Sequence, residues 1–131
     1  MKIGILGCGV ISNTYIQEIQ RIYEKTLEIV AVADMDQARA KATAEKYQVP
    51  FALTVEELLA YKDIQLIVNL TPPMAHKELN MRILESGKHL FCEKPFALTV
   101  EDAQEVAQLA EEKGLYIGAA PDTFLTAPIQ S

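Results

Sequence analysis

The most informative segment of this 131-residue chain is Ile3-Gly4-Ile5-Leu6-Gly7-Cys8-Gly9-Val10-Ile11-Ser12. Its apolar, β-branched start predicts a strand, the glycines predict a tight turn, and a helical pattern follows at once. The amides at a helix N-terminus bind anions, so this turn predicts a phosphate site. Gly7 would permit the turn, and Gly9 would let a pyrophosphate approach the backbone. Val10 and Ile11, which follow the glycines, are also candidate cofactor-binding residues.

The third position of this glycine fingerprint holds Ser12 instead of Gly or Ala. That position serves close packing between helix and strand, so a small Ser is tolerated, although the match to the dinucleotide-binding pattern is imperfect. A glycine-rich turn that binds no ligand is therefore the alternative.

Short β-rich runs alternate with helical patterns along the rest of the chain. The predicted strands cover residues 2–6, 28–34, 51–53, 66–70, 89–92 and 116–119, and the predicted helices cover 12–23, 37–47, 55–61, 74–86 and 100–113. Parallel strands need crossovers of this length. The pattern therefore predicts an α/β fold with a doubly wound parallel sheet of six strands in three α/β/α layers, which is the Rossmann fold. Its strand order would be 3-2-1-4-5-6.

A length of 131 residues is typical of one domain, and we expect residues 1–131 to form a single dinucleotide-binding domain. Residues 127–131 have the pattern of a helix that is just starting, since Pro128 suits the first helical turn. We therefore expect a fragment of a longer polypeptide that lacks a C-terminal substrate domain. A short disordered tail is the alternative.

Composition argues against several classes of partner. The net charge is −6 and the basic residues are scattered, so nucleic acid is not expected to bind. No stretch approaches the roughly 20 apolar residues of a membrane span, so we expect a soluble, cytoplasmic protein without a membrane partner. Cys8 and Cys92 would lie two strands apart, roughly 9 to 10 Å, which is too far for a disulfide.

Asp34 ends the second predicted strand, 22 positions after Ser12. This is close to the spacing of roughly 20 at which a carboxylate bonds the ribose 2′-hydroxyl, so Asp34 favours NAD as the cofactor. NADP stays possible because Arg39, one turn into the next helix, could meet a 2′-phosphate. The alternative is that Asp34 only caps the following helix, where Asp36 is an equally good candidate.

A second motif, Thr71-Pro72-Pro73, directly follows the fourth predicted strand. Open α/β sheets bind ligands at the carboxyl ends of their strands, so this turn would face the ligand crevice. His76 would lie in the first turn of the next helix, on the same side. A solvated helix histidine is the commoner case and is the alternative.

A third motif, Glu93-Lys94-Pro95, follows the fifth predicted strand. Lys94 could hydrogen-bond a substrate oxygen and stabilise it as it gains negative charge, whereas Glu93 would suit ribose hydroxyls. A surface ion pair is the alternative. Cys92 has no evident base beside it, so nucleophilic catalysis is not expected.

Over its whole length the sequence resembles the Gfo/Idh/MocA family of sugar and inositol dehydrogenases. Four blocks in order carry the resemblance: Ile3-Gly4-Ile5-Leu6-Gly7-Cys8-Gly9; Ala33-Asp34; Thr71-Pro72-Pro73 with His76; and Gly87-Lys88-His89 leading to Cys92-Glu93-Lys94-Pro95. The resemblance implies that Glu93 and Lys94 lie beside the nicotinamide ribose and that Lys94 reaches the substrate hydroxyl. It also implies a second domain that supplies a further acid/base residue.

The resemblance implies an NAD(P)-dependent oxidoreductase that transfers a hydride between nicotinamide and a sugar, inositol or related polyol or ketone. This chain alone would bind the cofactor without catalysing the reaction. Assembly into a homo-oligomer would use the second domain. The alternative is a non-catalytic dinucleotide-sensing or regulatory protein of the same fold, against which the presence of Lys94 argues.

Overall fold

The computed structural model describes residues 1–22, 25–92 and 99–119. Six parallel strands form one sheet in the order β3-β2-β1-β4-β5-β6. The strands are β1 (Lys2–Leu6), β2 (Glu28–Ala33), β3 (Phe51–Leu53), β4 (Leu66–Asn69), β5 (His89–Cys92) and β6 (Ile117–Ala119). The chain order of the strands reverses between β1 and β4, which is where open α/β sheets bind ligands.

Five helices connect the strands: α1 (Val10–Ile22), α2 (Gln37–Tyr47), α3 (Val55–Ala60), α4 (Pro73–Glu85) and α5 (Val100–Lys113). Two buried apolar clusters show that the sheet is covered on both faces. Ile16 and Ile19 of α1 and Ala40 and Ala44 of α2 belong to one cluster. The other cluster contains residues of α3, α4 and α5, namely Leu58, Ile83, Leu84, Val106 and Ala110.

The predicted fold, with its three layers, six strands and strand order, is confirmed. Side-chain caps begin two of the helices: Thr54 and Glu57 make a capping box on α3, and the Thr99 side chain accepts from the Asp102 amide at the start of α5. The start of α1 was predicted two residues late, because the helix begins directly after Gly9.

Cys8 and Cys92 are both buried free thiols, and β4 lies between β1 and β5, as the predicted strand order requires. Among the described residues, no helix is long and apolar enough to cross a membrane.

Candidate cofactor site

The candidate site lies at the carboxyl edge of the sheet, by which we mean residues 7–12, 34–36, 69–76 and Cys92, at and after the ends of β1, β2, β4 and β5. Its centre is the turn at Gly7, which has a φ of +101°. A Cβ atom there would lie 2.9 Å from the Leu70 carbonyl carbon and 3.0 Å from the Thr71 nitrogen. Glycine is therefore required twice, by backbone conformation and by the close approach of two loops.

The end of β2 is bonded directly to this turn. The Gly7 amide donates to the Ala33 carbonyl oxygen at 2.8 Å, and the Cys8 amide donates to Asp34 Oδ2 at 2.7 Å. The Asp34 side chain is only 12% exposed, and its Oδ1 accepts from the Asp36 amide at 2.8 Å. An ionised carboxylate has about four lone-pair sites, so the two amides leave acceptor capacity for hydroxyl donors.

The alternative role of Asp34 as a helix cap is not what the structure shows. Asp36 is the N-cap of α2, and its Oδ1 accepts from the amides of Ala38 and Arg39. The Asp34 carboxylate therefore binds the glycine turn instead of capping α2. The Arg39 guanidinium lies 3.8 Å from Asp34 Oδ2 and is about half exposed, so a cation stands beside the carboxylate.

The first turn of α1 has the properties that a phosphate site needs. Nothing lies within 4 Å of the position that a Cβ atom would occupy at Gly9, so a ligand can approach the backbone there. Val10 and Ile11 follow at the surface, exposed by 88% and 40%. Ser12 is fully buried, and its hydroxyl donates to the Gly9 carbonyl oxygen at 2.6 Å. The Ser at the third fingerprint position therefore packs closely and also braces the turn.

A groove of about 470 Å³ opens beside this turn, between the start of α1 and α2. Its lining residues are Cys8, Gly9, Val10, Asn13, Arg39, Ala42, Thr43 and Lys46. Two of them are cationic, which favours a ligand that carries negative charge. Burial raises the pKa of the Cys8 thiol from 9.0 to about 11, so Cys8 is protonated at neutral pH and contributes no nucleophile.

The turn after β4 is also placed at the carboxyl edge. Thr71 is half-buried, and Pro72 and Pro73 are exposed at the start of α4. His76, in contrast, is 1% exposed, and its Nε2 contacts the Thr71 carbonyl oxygen. The alternative of a solvated histidine is therefore wrong: His76 lies beneath the loop and holds it from inside.

Cys92 has a base beside it after all, which the sequence did not reveal. His76 Nδ1 lies 3.5 Å from Cys92 Sγ, because α4 packs across the end of β5. Both residues are almost completely buried, so a substrate cannot reach the sulfur and nucleophilic catalysis stays unexpected. Glu93 and Lys94, the remaining predicted site residues, lie outside the described residues.

Two buried amides at this edge were missed entirely. Asn69, the last residue of β4, and Asn80 of α4 are fully buried, and Asn69 Nδ2 donates to Asn80 Oδ1 at 2.8 Å. The sequence does hold a signal for Asn69, since it interrupts an otherwise apolar strand. A buried amide needs polar partners.

A nicotinamide dinucleotide fits the residues that are present. Open space above Gly9, the N-terminal end of α1 and the nearby carboxylate of Asp34 match a pyrophosphate joined to a ribose. These residues lie at the ends of β1 and β2, beside the strand-order reversal between β1 and β4.

Comparison with known proteins decides the family. A model of the oxidoreductase family with an NAD-binding Rossmann fold, Gfo/Idh/MocA, matches residues 1–120. The chain belongs to this family. Inositol 2-dehydrogenase from Salmonella typhimurium is 29% identical over 116 residues, which cover 87% of this chain and 34% of that protein.

Solved structures of similar proteins agree with the fold. The WlbA dehydrogenase from Chromobacterium violaceum, in complex with NADH and UDP-GlcNAcA, gives a TM-score of 0.85 at 25% identity, covering 92% of this chain and 34% of that one. KijD10, a 3-ketoreductase from Actinomadura kijaniata in complex with NADP and TDP-benzene, gives 0.85 at 26% identity, covering 92% and 37%. The chain spans about a third of the length of these relatives.

Proposed function

We propose that this chain is the cofactor-binding part of an oxidoreductase that prefers NAD(H) and acts on a sugar, inositol or related polyol or ketone. The observation that carries the proposal is the carboxylate of Asp34, held by the Cys8 amide at 2.7 Å. A carboxylate fixed beside the glycine turn accepts hydrogen bonds from ribose hydroxyls and repels a 2′-phosphate. NADP remains the weaker ligand because Arg39, 3.8 Å from Asp34, offsets part of this repulsion.

Each half of the cofactor has its own set of residues in this proposal. The turn at Gly7 and Gly9 and the first amides of α1, at Val10 and Ile11, bind the pyrophosphate. Asp34 binds the adenosine ribose, and Thr71 and Pro72 line the path toward the nicotinamide. His76 contributes indirectly, by holding the Thr71 carbonyl from beneath.

Chemistry at the nicotinamide end is assigned to Lys94, with Glu93 on the nicotinamide ribose. When bound, the nicotinamide ring supplies hydride acceptance and donation. Lys94 would hydrogen-bond the substrate oxygen and stabilise negative charge on it, which lowers the barrier to proton loss. The support for these roles is the family membership together with the position of Lys94 in the sequence, two residues after the end of β5.

The substrate class rests on relatives of about three times the length of this chain. Inositol 2-dehydrogenase and 1,5-anhydro-D-fructose reductase, at 29% and 31% identity, both carry a polyol or a sugar ketone in their names. We propose that a second domain completes the substrate site and also forms any homo-oligomer. A cytoplasmic location stays a prediction from the sequence.

The cofactor assignment is tested by a matched pair of variants. Asp34→Asn removes the negative charge beside the turn and one of the two oxygens that accept from the Cys8 and Asp36 amides. It should weaken NADH binding by at least about tenfold, the effect of losing a charge-assisted hydrogen bond. Asp36→Asn is the control, because Asn also caps helices well and Asp36 only caps α2. Equal NADH affinities of the two variants would contradict the proposal.

The catalytic assignment needs turnover in the full-length protein. Lys94→Ala should lower kcat by at least about a hundredfold and leave the NADH dissociation constant within a factor of about two. Lys113→Ala, at the far end of α5, is the control. Unchanged turnover in the Lys94 variant would remove this residue from catalysis and would favour a dinucleotide sensor.

A further inference from the structure

A closed ring of buried side chains lies directly beneath the proposed nicotinamide end of the site. Asn69 Nδ2 donates to Asn80 Oδ1 at 2.8 Å, and Asn80 Nδ2 donates to Cys92 Sγ at 3.5 Å. Cys92 Sγ lies 3.5 Å from His76 Nδ1, and His76 Nε2 contacts the Thr71 carbonyl oxygen. Thr71 closes the ring, since its amide and its hydroxyl donate to Asn69 Oδ1 at 3.1 Å and 2.6 Å.

The backbone of Thr71 fixes the direction of every hydrogen bond in this ring. Its amide can only donate, so Asn69 Oδ1 is an acceptor and Asn69 Nδ2 must donate to Asn80. The amide of Asn80 then donates to the Cys92 sulfur, and the thiol can donate to His76 Nδ1. The Thr71 carbonyl can only accept, so His76 Nε2 must carry the proton.

Both ends of this deduction agree, because a neutral imidazole with a proton on Nε2 has a bare Nδ1 that accepts from the thiol. All donors therefore point the same way around the ring. Hydrogen bonds arranged head to tail polarise one another and strengthen the whole set. Four of the five members are at most 1% exposed, namely Asn69, His76, Asn80 and Cys92, so the low dielectric adds to this effect.

We propose that this ring positions the Thr71 loop and the end of β5 for cofactor binding, and that His76, Asn80 and Cys92 are positioning residues. The proposal rests on the proposed function, since it assigns the nicotinamide half of the cofactor to these two places. The ring joins them through four buried side chains and the backbone of Thr71, in addition to the pairing of β4 with β5. Thr71 follows β4, and Cys92 ends β5, one residue before Glu93. Neither Thr71 nor Cys92 can shift without breaking the ring.

The ring predicts a split between two ligands. NADH reaches both the adenosine end and the nicotinamide end, whereas ADP lacks the nicotinamide half. Cys92→Val keeps a buried side chain of similar size but removes the donor and the acceptor. It should weaken NADH binding by about threefold to tenfold, the effect of one or two lost hydrogen bonds, and leave ADP binding unchanged.

Two further variants separate positioning from general stability. Cys92→Ser restores a donor and an acceptor and should bind NADH within a factor of about two of wild type. Lys88→Met removes a buried hydrogen-bonding group at the opposite end of β5 and should lower stability without changing either affinity. The proposal is overturned if Cys92→Val binds NADH as wild type does, or loses NADH and ADP equally.

The hydrogen-bond direction can be measured without any ligand. The chain has two histidines, so comparison of wild type with His89→Gln assigns the imidazole nitrogen-15 signals of His76. The ring predicts a protonated Nε2 and a bare Nδ1, and the opposite tautomer would overturn it. If wild type binds no NADH, the proposed function fails, but this measurement still decides whether the ring exists.

Discussion

Buried polar groups have different roles at the two edges of the sheet. The amino edge comprises residues 61–65, 86–89 and 115–116, beside the starts of β4, β5 and β6. There the Lys88 ammonium donates to the Tyr61 and Ile64 carbonyl oxygens at 2.6 and 3.0 Å. At the carboxyl edge, Asp34 accepts from an amide of the glycine turn, which borders open space at Gly9, and the ring lies beneath Thr71. The Lys88 hydrogen bonds stabilise the fold, whereas those at the carboxyl edge shape a binding surface.

Apolar exposure separates the edges in the same way. Val10, Met35 and Met74, at the carboxyl edge, are exposed by 85% or more. Large apolar side chains so exposed are what a bound ligand or domain would cover. Changes at the amino edge should therefore alter stability, and changes at the carboxyl edge should alter binding.

The largest expected effect comes from two glycines that share a left-handed conformation. Gly7→Ala places a methyl group 2.9 Å from the Leu70 carbonyl carbon and strains a φ of +101°, so it should cost about 3 kcal/mol and reduce NADH affinity by more than about a hundredfold. Gly87→Ala, at a φ of +87° with open space around it, should cost about 1 kcal/mol and leave affinity unchanged. Thermal unfolding measures the loss of stability in each variant, and titration measures its NADH affinity. Similar NADH affinities of the two variants would contradict the predicted difference between the edges.

An intermediate effect is expected at the buried lysine. Lys88→Met leaves two carbonyl oxygens without their donor and should reduce the free energy of unfolding by about 1 to 3 kcal/mol. NADH affinity should not change, because Lys88 lies at the amino edge. Denaturant unfolding with calorimetric titration checks both values, and a change in affinity alone would reverse the roles of the two edges.

Burial also makes the contribution of Lys88 depend on pH. Desolvation lowers the pKa of Lys88 below its ordinary 10.5, so the unfolded chain binds this proton more tightly than the folded chain. The lysine therefore adds stability as the pH rises through its folded-state pKa toward 10.5. The stability difference between wild type and Lys88→Met should widen over that range, and a constant difference would contradict the assignment.

The smallest expected effect lies at His89. Its Nδ1 accepts from the Tyr116 amide at 2.9 Å, and burial lowers its pKa below 6.5. The folded chain resists protonation, so the stability is fully present above pH 6.5 and is lost as the pH falls through the folded-state pKa. A His89→Asn variant, which keeps an acceptor, should lose less stability than wild type as the pH falls. An equal loss in the two proteins would mean that His89 does not cause the acid destabilisation.

Much of the fold could be predicted from the sequence because its signals are local. The strands, the helices and the cap at Thr54 each depend on residues a few positions apart. Asp34 was predictable from its distance to the glycine turn. The hydrogen bond from the Cys8 amide to Asp34 could be found only from the structure, because this bond depends on the register between β1 and β2.

The ring beneath Thr71 was not predictable, for a physical reason. His76 and Asn80 lie four positions apart and so share one face of α4, but nothing in the sequence tells which face meets the sheet. Cys92 meets them only because α4 packs against β5. Long-range contacts of this kind turn a histidine that a local pattern assigns to solvent into a buried one.

We assign the carboxyl edge to NAD(H), with Asp34 as the ribose acceptor. Calorimetric titration of the chain with NADH and with NADPH, at one ionic strength, tests it most directly. We predict that NADH binds at least about tenfold more tightly, because the 2′-phosphate of NADPH would meet the Asp34 carboxylate. Equal affinities, or tighter binding of NADPH, would contradict the claim and transfer the decisive role to Arg39.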